Sequence, residues 1–261
     1  MTIGIPSLIE YRTVKDHLRL CAENGFDFFE LNFSFPWFQI EDLNPERMSK
    51  LSCEYRVGYS FHLNDSFNPF DFSSDMRRAW LNYTDKVFML ADFLGVKRII
   101  MHLVDGIYSA VNGNKIYANE VCLETYLENV GEFAHKCNNY LKDSGVLVCI
   151  ENTNGYRSFQ KIAIETMLEY QCFGLTFDIG HNYKAGGMDE MFILEHQNRL
   201  KHFHVHNATQ KANHFSLDEG VIDVKKYLDM IVKLDCTCVV EVKESSSLLR
   251  SRNYLVEHGY L

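Results

Sequence analysis

Acidic and histidine side chains recur at the ends of short apolar runs that have the composition of buried strands. VLVCIE ends at Glu151, for example, and CVVE ends at Glu241. The whole set consists of His62, His102, Glu151, Asp178, His204 and Glu241. Strand interiors exclude such groups unless they are paired or bind a metal, so their repetition at equivalent places indicates a shared site.

Four of these side chains form a mixed oxygen and nitrogen donor set: Glu151, Asp178, His204 and Glu241. Such a set suits a divalent ion such as Mn²⁺, Mg²⁺, Co²⁺ or Zn²⁺, and the lack of cysteine ligands argues against a purely structural zinc. Taken singly, each residue can be explained as a helix cap or a hydrogen-bonded core group. Taken together on different strands, they predict a metal-dependent active site.

The elements that must position these groups alternate along the chain. Strand-like runs begin near residues 3, 26, 57, 97, 146, 174, 201 and 238. Helical patterns cover 13–24, 44–54, 75–94, 117–142, 158–170, 188–198, 221–234 and 247–257. Because no linker or low-complexity tract interrupts the eight units, the sequence predicts one α/β domain over residues 1–261, a (β/α)₈ TIM barrel.

The alternation of side chains along the strands supports this prediction. In YSFHL, Phe61 and His62 fall on opposite faces, and in HFHVH the same holds for Phe203 and His204. With a side-chain period of two, the apolar set faces the helices and the polar set points into the barrel. Barrel enzymes build their sites at the carboxyl ends of the strands, where the acids and histidines fall.

Composition limits the classes of partner. The net charge of −9 disfavours non-specific attraction to phosphate backbones, so nucleic acid is an unfavoured partner, although a local basic groove stays open. The eight cysteines form no CxxC pair, and the first residues, MTIGIPS, lack the pattern of a secretory leader. No run is long enough for a membrane span. We therefore expect a cytoplasmic protein with reduced thiols and no membrane partner.

Five motifs resemble those of the xylose-isomerase-like TIM-barrel superfamily: IENTNG (150–155), FDIGH (177–181), HFHVHN (202–207), HFSLDEG (214–220) and VVEVKE (239–244). This superfamily contains sugar and sugar phosphate isomerases and epimerases, dehydratases of cyclic polyols, and type IV apurinic endonucleases. In the isomerase and epimerase branch, the resemblance implies that Glu151, Asp178, His204 and Glu241 bind the divalent ion. In ketose 3-epimerases the two glutamates also move the proton, through an enediolate.

The endonuclease branch implies a zinc cluster that uses four further histidines as ligands: His62, His102, His181 and His214. A third zinc of that kind also needs an aspartate where this chain has Ala212. The same histidines can instead be additional metal or substrate ligands in an isomerase. The leading prediction is a metal-dependent isomerase or epimerase of a small sugar or sugar phosphate. The alternatives are a zinc phosphodiesterase acting on abasic DNA and a dehydratase of a polyol or sugar acid.

Aromatic loops after the second and third strands, NFSFPWFQ and NDSFNPFDF, are expected to overhang the barrel mouth. Their rings can stack on a sugar, pack on one another or form the interface of a homodimer. Residues 32–41 contain no lysine or arginine, which weighs against DNA. The predicted substrate contacts are Glu30, Trp37 and His206, with a buried ion pair as the alternative for Glu30.

Overall fold

A computed structural model describes residues 1–261. Its strands are β1 (Thr2–Ile5), β2 (Phe28–Asn32), β3 (Gly58–His62), β4 (Arg98–His102), β5 (Tyr108–Val111), β6 (Asn114–Tyr117), β7 (Leu147–Glu151), β8 (Phe173–Asp178), β9 (Leu200–Val205) and β10 (Thr237–Val240). Its α-helices are α1 (Val14–Asn24), α2 (Pro45–Tyr55), α3 (Ser74–Leu94), α4 (Ala118–Val121), α5 (Leu123–Leu141), α6 (Ser158–Leu168), α7 (Ile179–Lys184), α8 (Glu190–Glu195), α9 (Val224–Leu234) and α10 (Ser245–Glu257). Short 3₁₀ turns cover Pro36–Phe38 and Gln197–Arg199.

Eight of the strands form a closed barrel in the order β1-β10-β9-β8-β7-β4-β3-β2. Every neighbouring pair in it is parallel, and the chain passes between most of them through a helix. The predicted (β/α)₈ barrel is therefore confirmed.

Strand register brings the carboxyl ends to a common level. Glu151 on β7 lies beside His102 on β4, and Asp178 on β8 lies beside His204 on β9. Phe203, which alternates with His204, is fully buried in the hydrophobic core, as the side-chain period requires. The barrel thus presents these acids and histidines at its carboxyl end.

The predicted helix over 117–142 corresponds to α4 and α5, which are separated by a turn at Cys122. The segment before it, residues 108–117, forms an antiparallel hairpin, β5 and β6, that has no counterpart in the sequence prediction. Its turn contains Asn112 and Gly113, both with positive φ (51° and 81°). An Asn-Gly pair favours the left-handed backbone of a tight hairpin turn, so the local signal was present in the sequence.

The predicted helix over 188–198 is shorter in the structure, because α8 ends at Glu195 and a 3₁₀ turn follows. A further helix, α7, begins directly after β8 and has no counterpart in the sequence prediction. Asp178 is the N-cap of this helix, since one of its carboxylate oxygens accepts a hydrogen bond from the backbone N–H of His181 at 2.6 Å.

All eight cysteines are unpaired in the structure, and six of them are buried. None of the helices combines the length and the apolar character that a transmembrane span would need.

Candidate metal centre

The four predicted ligands converge at the carboxyl end of the barrel. His204 Nδ1 lies 2.9 Å from Glu151 Oε1, 3.4 Å from Glu241 Oε2 and 4.0 Å from Asp178 Oδ2. An oxygen from each carboxylate and a ring nitrogen of His181 also lie within 4.8 Å of one another. Side chains far apart in sequence therefore meet around one point.

Asn152 locks the two strands that carry Glu151 and Asp178. Its amide donates to the Asp178 carbonyl at 2.9 Å, and its side-chain oxygen accepts the Asp178 N–H at 2.8 Å. Asn152 is fully buried, so these bonds are shielded from water. Sequence analysis did not single out this residue, although it directly follows Glu151 in the IENTNG motif.

His206 lies behind Asp178. Its Nδ1 accepts the backbone N–H of His214 at 2.9 Å, so the ring proton resides on Nε2, which lies 3.0 Å from Asp178 Oδ1. The ring is fully buried. Both nitrogens are thus engaged by the protein, and this position supports orientation of Asp178 rather than the predicted contact with a substrate.

Gly180 gives the His206 ring its space, which leads to a first prediction. A Cβ at Gly180 would lie 1.9 Å from His206 Cε1. We expect Gly180→Ala to lower the free energy of unfolding by about 1–3 kcal/mol, because the ring or α7 must move. Chemical denaturation measures this change.

Gly131 supplies the matched control, since it lies in α5 and a Cβ there meets nothing within 4 Å. Gly131→Ala should raise stability by roughly 0.5–1 kcal/mol. Equal stability of Gly180→Ala and the parent would show that the His206 ring is not confined by this glycine.

Glu151 is buried among three histidines. Its Oε2 lies 3.2 Å from His62 Nε2 and 3.1 Å from His102 Nε2, while His204 contacts Oε1. Burial alone would raise the pKa of Glu151, but His204 and His102 outweigh it and hold that pKa well below its usual range. Burial lowers the pKa of His62, and the bond to Glu151 raises it by more, to about 9. The predicted histidines of β3 and β4 thus contact this ligand directly.

Glu241 carries an unsatisfied oxygen. Its Oε1 accepts a hydrogen bond from Lys243 at 2.7 Å, whereas Oε2 is buried and receives none. Burial raises the pKa of Glu241, and the charges of Lys243 and His204 lower it by more, well below its usual range. An ionised, buried oxygen without a partner is costly unless a cation lies beside it. This atom and the surrounding oxygen and nitrogen donors fit a divalent metal ion.

His181 and His214 lie beside Asp178 and Glu241, whereas His62 lies beside Glu151. His181 Nε2 lies 3.9 Å from Asp178 Oδ2. His214 donates from Nδ1 to the Glu241 carbonyl at 2.9 Å, so its Nε2 keeps a free lone pair. Burial is the main cause that lowers the pKa of His214 to about 4. Both histidines are thus close enough to serve as further ligands, but Ala212 offers no carboxylate for the third zinc of the endonuclease pattern.

Glu30 lies beneath the predicted ligands and is only 2% exposed. Its Oε1 is 2.9 Å from His204 Nε2, and its Oε2 accepts the Ser60 hydroxyl at 3.0 Å and lies 3.5 Å from His202 Nε2. Burial would raise the pKa of Glu30, but His204 and His202 lower it below its usual range. These contacts favour the buried ion pair over a substrate contact. His204 therefore stands between two carboxylates, Glu30 at Nε2 and Glu151 at Nδ1.

Trp37 lies in the 3₁₀ turn after β2. Its ring packs on Phe35, with centroids 5.2 Å apart, and the Arg12 guanidinium lies 5.6 Å from its centre. It lines a depression of about 180 Å³ that includes none of the predicted metal ligands. Phe33 and Phe67 of the aromatic loops are buried in the hydrophobic core. Most of these rings therefore pack against the protein, and a sugar contact for Trp37 stays a prediction.

Comparison with known proteins adds the family context. A family model described as xylose isomerase-like TIM barrel matches residues 18–259. A D-tagatose 3-epimerase-like protein has a similar structure, with a TM-score of 0.80 at 20% identity, covering 99% of this chain and 97% of that one. The 3-keto-D-glucoside 4-epimerase of E. coli has a TM-score of 0.77 at 13% sequence identity, and the similarity covers 100% of both chains. The IolI protein with a bound zinc atom has a TM-score of 0.74 at 12% identity, and the similarity covers 100% of this chain and 99% of that one.

Proposed function

The chain belongs to the xylose isomerase-like TIM-barrel family, and on this premise we propose that it is a divalent-metal-dependent isomerase or epimerase of a small sugar or sugar phosphate. The observation that carries the proposal is the convergence of three carboxylates within 4.0 Å of His204 Nδ1. The similarity to a 3-epimerase-like protein and to a 4-epimerase, and the zinc bound by a third structural neighbour, support the same class of chemistry.

Glu151, Asp178, His204 and Glu241 would hold the metal. A divalent ion at this position would polarise the carbonyl and adjacent hydroxyl of a sugar, so that the neighbouring C–H becomes more acidic. Glu151 and Glu241 are both held ionised by the cations around them, which makes each able to accept a proton.

The two glutamates differ in how accessible their carboxylates are to a substrate. The Glu241 side chain is 14% exposed, whereas that of Glu151 is 1% exposed and is contacted by three histidines. In the proposed reaction one glutamate removes the proton beside the carbonyl and the other returns it, on the same or the opposite face. Lys243, bonded to Glu241, can exchange protons with that carboxylate or contact a substrate oxygen.

A dehydratase would use the same base and then eliminate a hydroxyl group from the next carbon. The products therefore separate these two reactions: apart from the exchange of a C–H hydrogen for deuterium, epimerisation conserves the mass of the substrate, and dehydration lowers it by one water. Incubation with D-tagatose in D₂O, followed by mass spectrometry, tests both. Deuterium should enter the carbon next to the carbonyl if this sugar belongs to the substrate class.

Metal content distinguishes the isomerase from the zinc phosphodiesterase, and it forms the second prediction. We expect about one divalent ion per chain by elemental analysis after reconstitution and gel filtration. Asp178→Asn should weaken metal binding by more than roughly 10–100-fold, which is the usual effect of losing a residue that only contacts a ligand. The larger effect is expected because the substitution removes the charge of a ligand itself.

Glu257→Gln is the control, since Glu257 is exposed and makes no ion pair or side-chain hydrogen bond. Three zinc ions per chain, together with cleavage of abasic DNA, would favour the phosphodiesterase. Failure to retain any divalent ion would contradict the proposed function.

A further inference from the structure

A second recess lies at the amino-terminal end of the barrel, opposite the candidate metal centre. It has a volume of about 410 Å³, which is within the range of small-molecule sites. Its walls come from the starts of β1 to β4 and β10 and include Thr2, Ser60, Arg98 and Thr237. Only three of the eleven lining residues are hydrophobic, and Arg98 and Lys97 bring two positive charges to the wall.

Arg98 is the main charged group of this recess. It is the first residue of β4 and lies four residues before His102, so its side chain has the barrel-facing parity of that histidine. One guanidinium nitrogen donates to the Lys97 carbonyl at 2.9 Å. Its Nε is buried and has no hydrogen-bond partner, and no carboxylate lies within 4.0 Å of the guanidinium. A partly buried guanidinium without an acid normally has a counter-ion.

The other groups of the recess leave that charge uncompensated. Lys97 donates to the Ser144 carbonyl at 3.2 Å and has no acidic partner. Asp27 is the one acid in the wall, and its carboxylate accepts the Ile3 N–H at 2.7 Å. The Ser60 hydroxyl donates to Glu30. Two cations thus face one acid, and the free donors of the recess belong to Arg98 and Lys97.

From this arrangement we propose that the recess binds a small oxyanion, a phosphate or carboxylate group, through Arg98 with support from Lys97. The planar guanidinium can donate two parallel hydrogen bonds to such a group, and Lys97 adds a second positive charge. The site is independent of the proposed function, because none of its lining residues is a predicted metal ligand. The third prediction follows from it.

Calorimetric titration of the protein with inorganic phosphate, at constant ionic strength set by chloride, tests the site. We expect one saturable event whose Kd rises at least tenfold in Arg98→Met, about the effect of losing one charge-assisted contact. Lys97→Met, at an exposed residue, should weaken binding about threefold and does not disturb the barrel interior. Acetate in place of phosphate shows whether a carboxylate is accepted as well.

Lys50→Met provides the control, because Lys50 is exposed, makes no ion pair and does not line the recess. Arg98→Lys keeps the charge but not the planar fork and should fall between the parent and Arg98→Met. Phosphate bound at the candidate metal centre would persist in all of these variants. The inference is overturned if the parent shows no saturable binding beyond chloride, or if the Kd is the same in Arg98→Met, Lys97→Met and the parent.

Discussion

Replacing Glu241 by glutamine should lower turnover of the true substrate by about 10²–10⁴-fold while the barrel stays folded, because an amide cannot accept the proton. Stability should change less than in a Glu151 variant. The Glu241 Oε2 atom lies 3.4 Å from His204 Nδ1 without a hydrogen bond, and Lys243, its partner at Oε1, is largely exposed. Turnover is followed as deuterium incorporation from D₂O next to the carbonyl, with the metal content of each preparation measured in parallel.

Glu151→Gln should reduce turnover to a similar extent but for a different balance of reasons. This carboxylate is buried against His62, His102 and His204, so removing its charge takes an acidic partner from three imidazoles and leaves His62 with none. We therefore expect Glu151→Gln, and not Glu241→Gln, to lower the melting temperature of the metal-free protein.

Glu257→Gln again serves as the control for both variants, since it removes one exposed carboxylate and no contact. Near parental turnover in both Glu151→Gln and Glu241→Gln would refute the assignment of these glutamates. If a variant loses both turnover and the metal, the result supports the proposed metal site but does not identify which glutamate acts as the base.

The barrel and the convergence of its acids and histidines could be predicted because both depend on short-range regularities. A side-chain period of two places His62 and His204 on the inner face, and parallel strands place their carboxyl ends at one rim. Once the barrel closes, Glu151 and Asp178 on neighbouring strands must approach one another. Their meeting with His204 therefore follows from alternation and strand order alone.

Depth within the barrel could not be predicted in the same way. Glu30 and His62 share inward parity, yet Glu30 lies a layer below and contacts His204 from beneath. Parity determines which face a side chain occupies, but its level depends on the stagger of the strands. For the same reason, the sequence suggested a substrate contact for Glu30 where the structure favours a buried ion pair.

The role of His206 could not be predicted from the sequence either, because it depends on tertiary hydrogen bonds. Only the fold brings the His214 N–H to Nδ1 of this ring and Gly180 against its edge. The hairpin after β4 is a different case. Asn112-Gly113 was a readable turn signal, but it lay next to a strong helical pattern.

The carboxylate of Glu30 leads to the last prediction, that Glu30→Gln weakens divalent metal binding by about 10–100-fold, the usual effect of losing an acid behind a ligating histidine. Glu30 Oε1 lies 2.9 Å from His204 Nε2, on the side of the ring opposite Glu151. A carboxylate there favours the proton on Nε2 and leaves the Nδ1 lone pair facing the other acids. Glutamine keeps the size of the side chain but loses this charge.

Titration of the metal-free protein with Mn²⁺, followed by electron paramagnetic resonance, measures the affinity without any assay of turnover. Ser60→Ala is the matched control, because it removes the 3.0 Å hydrogen bond to Glu30 and leaves the carboxylate in place. We expect it to reduce affinity far less than Glu30→Gln, and Glu30→Asp to restore part of the loss. If Glu30→Gln binds Mn²⁺ as tightly as Ser60→Ala, then Glu30 only fills space beneath His204. If it binds weakly, the acid beneath the ring positions His204 for the metal, and the candidate site extends one layer deeper into the barrel than its ligands.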